Sequence, residues 1–369
     1  MRILLVNWLD LENPDAGGAE LHLFELFRRL VARGDRVHLV CSGWRGASPA
    51  AEVQGISVER HGGRQSFALA GPGAVRRALA RERWDIVVED INKLPLFLPS
   101  LTPLPFCAII PHLFGSTAFQ EASWPVAATV ALAERPIPRR YRRAGFHAIS
   151  ESTRDDLVRR GVPAGRIRVI HPGIDTATCT PASALDRARP PTFLYVGRLK
   201  RYKGVETALQ ALATARGERP DLSLDIAGSG DDAARLGSLT HQLGLDGAVR
   251  FHGFVPEPRK RELFQRATAT LFPSPKEGWG LTVMEAAACG TPSLASDSPG
   301  LRDSVRDGVT GYLVPHADAG ALARRMLELA GDPALVARLG MAARRHAEAW
   351  SWDDAAAATA AHLAEIVAE

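Results

Sequence analysis

The sequence has little of what marks a membrane, metal or redox protein. No run of about eighteen apolar residues occurs, so nothing reads as a spanning helix. The opening Met1–Val6 stretch is too short for a signal peptide and runs directly into Asn7 and Asp10, so it reads as a first buried strand. Cysteine is scarce: Cys41, Cys107, Cys179 and Cys289 are scattered without metal-type spacing. Reduced thiols in a cytoplasmic protein are the expectation. No D-x-D pair stands out as a metal ligand. The G-x-G-x-x-G fingerprint is missing, which makes a dehydrogenase the weakest option. Repeats and low-complexity linkers are also missing, apart from alanine enrichment near residue 360.

What remains is ordinary for a soluble globular enzyme. Hydrophobic content is 46% and charged content 23%. A length of 369 residues predicts two domains. The net charge of +4, with a pI near 9.0, suits anionic substrates or a membrane surface and is too weak to argue for nucleic acid.

The chain alternates buried strands with amphipathic helices. Residues 2–8 read as a parallel strand. A turn-rich loop follows and ends in Gly17 and Gly18. Leu21, Phe24, Leu26, Phe27 and Leu30 then recur at helical spacing, and Gly34 stops the helix. With a strand over 37–41 this is a βαβ unit whose helix start suits a phosphate. Further strands are expected at 56–60, 85–89, 106–112, 146–150 and 166–170, with helices at 71–83 and 151–160. Catalytic groups in open α/β sheets lie at carboxyl strand ends, which makes His112 a candidate. An apolar stretch over 126–133 leads into Arg135, Arg139, Arg140, Arg142 and Arg143, with Pro136 and Pro138 breaking any continuous helix. Residues 135–143 read either as a surface for anionic lipid or a phosphorylated acceptor, or as a solvated charged face.

Residues 180–191, rich in Pro, Ala and Arg, read as a linker. The rhythm then restarts, with strands expected at 192–197, 222–227, 249–254, 269–272 and 293–296, a turn into a short strand over 307–314, and helices after residue 317. The densest stretch is 274–292. Gly278 and Gly280 permit close backbone approach or positive φ. A helix entering after them, from Leu281, offers free N–H groups and a dipole that suits an anion. Glu277 and Glu285 stand eight positions apart across that loop, and carboxylates accept from hydroxyls. An anion cradle flanked by hydroxyl acceptors describes a sugar-nucleotide site. The alternative is an ordinary βα unit with Glu285 as a first-turn acid.

Glu277-Gly-Trp-Gly-Leu281, the E-x7-E spacing to Glu285 and the tail Ala288-Cys-Gly-Thr-Pro292 resemble the signature of the retaining GT-B glycosyltransferases of family GT4. Gly197-Arg198-Leu199 with Lys203-Gly204 resembles that family's second signature, and His171-Pro-Gly-Ile-Asp175 its usual Pro-Gly-Val-Asp segment. Trp279 replaces the commoner phenylalanine. The resemblance implies an α/β fold of two Rossmann-like domains facing across a deep cleft. The first would cover 1–179 and take the acceptor, and the second would cover 180–350 and bind the nucleotide sugar. A helix over 351–369 would cross back to the first. It implies that Arg198, Lys203 and the amides from Gly278 to Leu281 hold the diphosphate, that Glu277 binds the donor sugar and that Glu285 binds the ribose. Gly17 and Gly18 would lie under the donor phosphates, His112 near the reacting carbon, and backbone groups of Phe254 and Val255 at the base. The expected activity is hexosyl transfer from a UDP-glucose or GDP-mannose type donor to a saccharide, lipid-linked or small-molecule acceptor, without metal or further cofactor. It would take place in the cytoplasm or at the inner face of the membrane. A GT-B phosphorylase, a sugar-nucleotide epimerase and a noncatalytic sugar-nucleotide-binding module are the alternatives.

Overall fold

The computed structural model describes residues 1–117, 119, 124–181 and 190–369. The expected linker falls largely outside these. The chain divides into two compact units, Met1–Gly173 with Trp352–Glu369, and Ile174–Ser351.

Unit 1 is built on an eight-stranded sheet in the order β3-β4-β2-β1-β5-β6-β7-β8. Its strands are β1 (Arg2–Val6), β2 (Arg36–Gly43), β3 (Ala50–Val53), β4 (Ile56–Gly63), β5 (Ile86–Asp90), β6 (Phe106–Ile110), β7 (Gly145–Ala148) and β8 (Ile167–Val169). All neighbours are parallel except β3 and β4. Ile3 pairs with Val37 on one side and Ile86 on the other, so β1 is central and buried on both faces, as its unbroken Ile-Leu-Leu-Val run requires. The β3–β4 hairpin is absent from the sequence reading. It turns at Gln54 and Gly55, both at positive φ (51° and 80°), the conformation a two-residue hairpin needs. Ala50, Ala51 and Glu52 carry no alternation that would announce a strand.

The helix Gly18–Ala32 buries Leu23, Phe24, Leu26, Phe27 and Leu30 and ends where Gly34 takes a left-handed φ of 97°. The Gly34 N–H reaches the Val31 carbonyl and the Asp35 N–H the Leu30 carbonyl, a Schellman closure. The last helix, Trp352–Ala368, belongs to this unit. It buries Trp352, Ala356, Thr359, Leu363 and Ile366, one face at helical spacing. Asp353 meets Arg29 and Glu365 meets Arg168, each at 2.6 Å. Gly145 leaves room for Ile366, whose Cδ1 would stand 2.4 Å from any Cβ there.

Unit 2 carries six parallel strands in the order β11-β10-β9-β12-β13-β14. They are β9 (Thr192–Val196), β10 (Ser223–Ala227), β11 (Val249–Gly253), β12 (Ala269–Phe272), β13 (Ser293–Ser296) and β14 (Gly311–Val314). Its core joins Phe193, Leu224, Ile226 and Leu271 to the helices Val205–Arg216 and Ala319–Gly331 through Leu209, Leu212, Leu322 and Met326. Among the described residues, no helix is long and apolar enough to cross a membrane.

Candidate active site

The winding of unit 2 selects one edge of its sheet. From β9 the chain proceeds outward to β10 and β11, then returns to place β12 against the other side of β9. Ligands of open α/β sheets bind at such a reversal, outside the carboxyl ends of the strands. The loops leaving β9 and β12 carry Gly197, Arg198 and Lys203 on one side and Glu277 to Leu281 on the other.

Lys203 and Glu277 are joined there by a 2.6 Å ion pair. Burial alone would lower the Lys203 pKa, but Glu277 together with Tyr202 and Tyr195 outweighs it and holds the ammonium above its ordinary range. Arg198 stands exposed, with its carbonyl accepting a 3.0 Å bond from the buried Tyr195 hydroxyl. Leu199 N–H donates to the Ser229 carbonyl at 2.9 Å, so the G-S-G turn after β10 backs this loop. The approach is so close that a Cβ at Gly228 would lie 1.8 Å from the Gly197 oxygen.

The Glu277 loop is braced in the same manner. Its N–H donates to the Pro299 carbonyl at 3.0 Å, and the Ser298 hydroxyl to the Ser274 carbonyl at 2.9 Å. Gly300, at φ 82°, lies beneath it: a Cβ there would be 2.1 Å from the Glu277 oxygen. Gly280 turns the chain at φ 88° into the helix Leu281–Ala288, whose first N–H groups open toward the loop. Trp279 is 1% exposed and stacks edge-on against Trp350 at 5.8 Å, so what it offers a ligand is backbone. Glu285, one turn into the helix, is gripped by Lys260 at 3.0 and 3.1 Å. Burial pushes the Glu285 carboxyl up and Lys260 opposes it. Lys260 comes from the helix Glu257–Arg266, which follows β11 and the exposed Phe254 and half-buried Val255.

In unit 1 the reversal lies between β1 and β5. Gly17 caps the helix after β1, and its N–H donates to Glu20 at 2.8 Å in a capping box. Gly18 is the first helical residue. His112 follows β6 on the same carboxyl edge, its ring 4.9 Å from that of Phe114. Beside the Gly17 turn, Glu20 also accepts from Asn92 at 3.2 Å and lies 3.6 Å from the Lys93 ammonium. Asp90 ends β5 at 1% exposure with neither oxygen bonded, and burial pushes its carboxyl well up.

The structure thus brings Arg198, Lys203, Glu277, Gly278, Trp279, Gly280, Leu281 and Glu285 to one edge of unit 2, with Phe254 and Val255 following β11, two strands from β9. Gly17, Gly18 and His112 lie on the corresponding edge of unit 1. Sequence reasoning missed Lys260, Tyr195, Gly300, Glu20 and Asp90. Lys260 sits in Glu-Pro-Arg-Lys-Arg-Glu, where nothing separates it from neighbouring surface charges. Among the described residues no group of three or more His, Cys, Asp or Glu is placed to hold a metal ion.

Two doubly wound α/β units, each built on a largely parallel sheet, are the architecture of the GT-B fold. Comparison with known proteins gives the family. The profile described as Glycosyl transferases group 1 matches residues 181–346, and that described as Glycosyltransferase Family 4 matches residues 16–178. A D-inositol 3-phosphate glycosyltransferase of Streptomyces avermitilis is 30% identical over 94% of this chain and 82% of its own. Sucrose-phosphate synthase from Thermosynechococcus elongatus superposes with a TM-score of 0.85 at 24% identity, covering 100% of this chain and 99% of that one. Anabaena HepE in complex with UDP-glucose gives 0.78 at 20%, covering 99% and 100%. The chain belongs to glycosyltransferase family 4 and is a GT-B glycosyltransferase.

Proposed function

We propose that this glycosyltransferase moves a hexose from a nucleoside-diphosphate sugar, of the UDP-glucose or GDP-mannose type, with retention at the anomeric carbon. The acceptor is a saccharide, a lipid-linked glycan or a small hydroxylated molecule. The inositol phosphate in the name of the Streptomyces relative makes a phosphorylated polyol one such small molecule. The observation that carries this reading is the Lys203–Glu277 pair at the reversal of unit 2, with Arg198 beside it and a helix start behind it.

In this reading the donor diphosphate lies against Arg198, Lys203 and the amides of Gly278 to Leu281. Glu277 takes sugar hydroxyls and Glu285 the ribose. Phe254 and Val255 meet the base, while Gly17, Gly18 and His112 serve from unit 1. The bond from the anomeric carbon to the phosphate oxygen breaks, and the cations stabilise the charge left on that oxygen. The acceptor hydroxyl attacks the same face, and its proton passes to the leaving phosphate oxygen. No protein nucleophile is required, and the two cations take the part a metal plays elsewhere. The arginines at 135, 139, 140, 142 and 143, all exposed, with exposed Trp124, Val126 and Leu132 on the preceding helix, support contact with anionic lipid at the cytoplasmic face.

Thermal unfolding with UDP, GDP, ADP and dTDP tests the donor reading. A ligand of the native state raises the melting temperature with the logarithm of its concentration over Kd. One nucleotide is expected to stand out. If none shifts the transition, the donor site is misassigned.

A further inference from the structure

Lys260 makes the most enclosed cationic contact of unit 2 for which the reading above has no use. Its ammonium makes three contacts to two carboxylates: Glu285 through both oxygens, at 3.0 and 3.1 Å, and Glu257 at 2.9 Å. The Lys260 and Glu285 side chains are 14% and 16% exposed, whereas Glu257 is 73% exposed. An exposed partner is screened by water and contributes little. The contact with consequence is therefore the one to Glu285.

A carboxylate in this position has two demands on it. It must remain charged in a place that disfavours charge, and it must keep a fixed orientation if it is to meet a pair of vicinal hydroxyls. Lys260 answers both. Contact to both oxygens fixes the plane of the carboxylate, and each oxygen keeps a further lone pair for a hydroxyl donor. The helix Glu257–Arg266 that carries Lys260 starts directly after Phe254 and Val255, the residues placed at the base. Lys260 thus connects the base end of the site to the ribose end.

We propose that Lys260 is a positioning residue that acts through Glu285 to make the site selective for a ribose diol, and that nucleotides lacking the 2′ and 3′ hydroxyls are refused on its account. This rests on the donor reading above. Burial pushes the Glu285 carboxyl up and Lys260 is what opposes it, so loss of the ammonium lets Glu285 take up a proton at higher pH. The other titratable groups acting on Glu285 are Glu257 from the same helix and the thiols of Cys179 and Cys289. Glu257 adds to the rise.

The test is calorimetric binding of UDP and GDP, and of their 2′,3′-dideoxy forms, to the full chain from pH 5.5 to 8. Wild type is expected to prefer the ribonucleotide by tenfold or more, in the manner of a site built around a hydroxyl. K260M is expected to lose about tenfold in ribonucleotide affinity and most of the preference, with affinity falling further as pH decreases. K260R, which keeps the charge, is expected to restore both affinity and a flat pH profile. Because K260M leaves a buried carboxylate unpaired and risks unfolding, the cycle is closed with E285Q. In that background, adding K260M should change nothing, since its effect passes through Glu285. Wild-type preference and pH profile in K260M overturn the proposal. So does a loss from K260M that persists undiminished in E285Q. If wild type binds neither UDP nor GDP, the donor reading falls and this inference falls with it.

Discussion

Lys203 and Glu277, 74 positions apart in the chain, meet at 2.6 Å where the loops leaving two adjacent strands converge. Each holds the other in the absence of substrate. A cation already restrained by a carboxylate has little reorganisation left when a diphosphate arrives. Lys203→Ala is therefore expected to keep the fold and to lower kcat about 10²–10³-fold, or about 2.7–4 kcal/mol, by analogy with removal of one donor from an oxyanion site. Donor consumption by purified protein measures this. Unchanged turnover removes Lys203 from the mechanism.

Gly300 carries no functional group, yet the Glu277 loop rests on it. With φ at 82° and a Cβ 2.1 Å from the Glu277 oxygen, Gly300→Ala forces that loop to move. The expected result is a loss of about 1–3 kcal/mol in stability, the range for overpacking, together with weaker nucleotide binding. Gly237→Ala is the control, because its Cβ would meet nothing within 4 Å inside the helix Ala233–Gln242. It should be neutral or raise stability by up to about 1 kcal/mol. Equal melting temperatures for the two variants would contradict the bracing role.

Glu89 is buried on β5 and accepts from Tyr141 at 2.8 Å and from the Leu96 N–H at 2.7 Å. Burial raises its carboxyl from 4.5 to about 7. A raised carboxyl favours folding when protonated, so its contribution is full below the unfolded value and is lost as pH rises from 4.5 through about 7. The span corresponds to something on the order of 3 kcal/mol. Urea unfolding at several pH values should show this decline in wild type and a flatter profile in Glu89→Gln. Identical slopes would show that Glu89 does not titrate in this range.

Trp124 is 73% exposed at the start of the helix Trp124–Glu134, just ahead of the exposed arginines. Replacing Arg139, Arg140, Arg142 and Arg143 with serine should weaken binding to phosphatidylserine-containing vesicles by about 1 kcal/mol per arginine, with little change on neutral phosphatidylcholine. Cosedimentation at low and physiological salt reads this. Wild-type protein that ignores anionic vesicles ends the membrane assignment.

The strands and loops that position the site were the most legible part of the sequence. Ile3 to Val6 is an unbroken apolar run because both faces of a parallel strand are covered, Ala269 to Phe272 is broken only by Thr270, and Gly280 and Gly290 start and stop their helix where positive φ is needed. What the sequence could not reveal were the contacts that join distant segments. Gly300 under Glu277 and Lys260 on Glu285 depend on which strands become neighbours, and neither residue type signals its partner. The Ala50–Val53 strand was invisible for a different reason. It lies at the sheet edge and owes its pairing to a turn, with no apolar pattern of its own.

The helix that completes unit 1 comes from the far end of the chain, with all of unit 2 lying between Gly173 and Trp352. On the ribosome this imposes an order of events. Unit 2 can finish folding as it emerges, whereas unit 1 must wait for its last piece while unit 2 is translated, roughly 9–36 s at ordinary elongation rates. During that interval the seat of the helix, including His22 and the notch at Gly145, is uncovered. The nascent protein is therefore most vulnerable to aggregation, and most visible to chaperones, at unit 1.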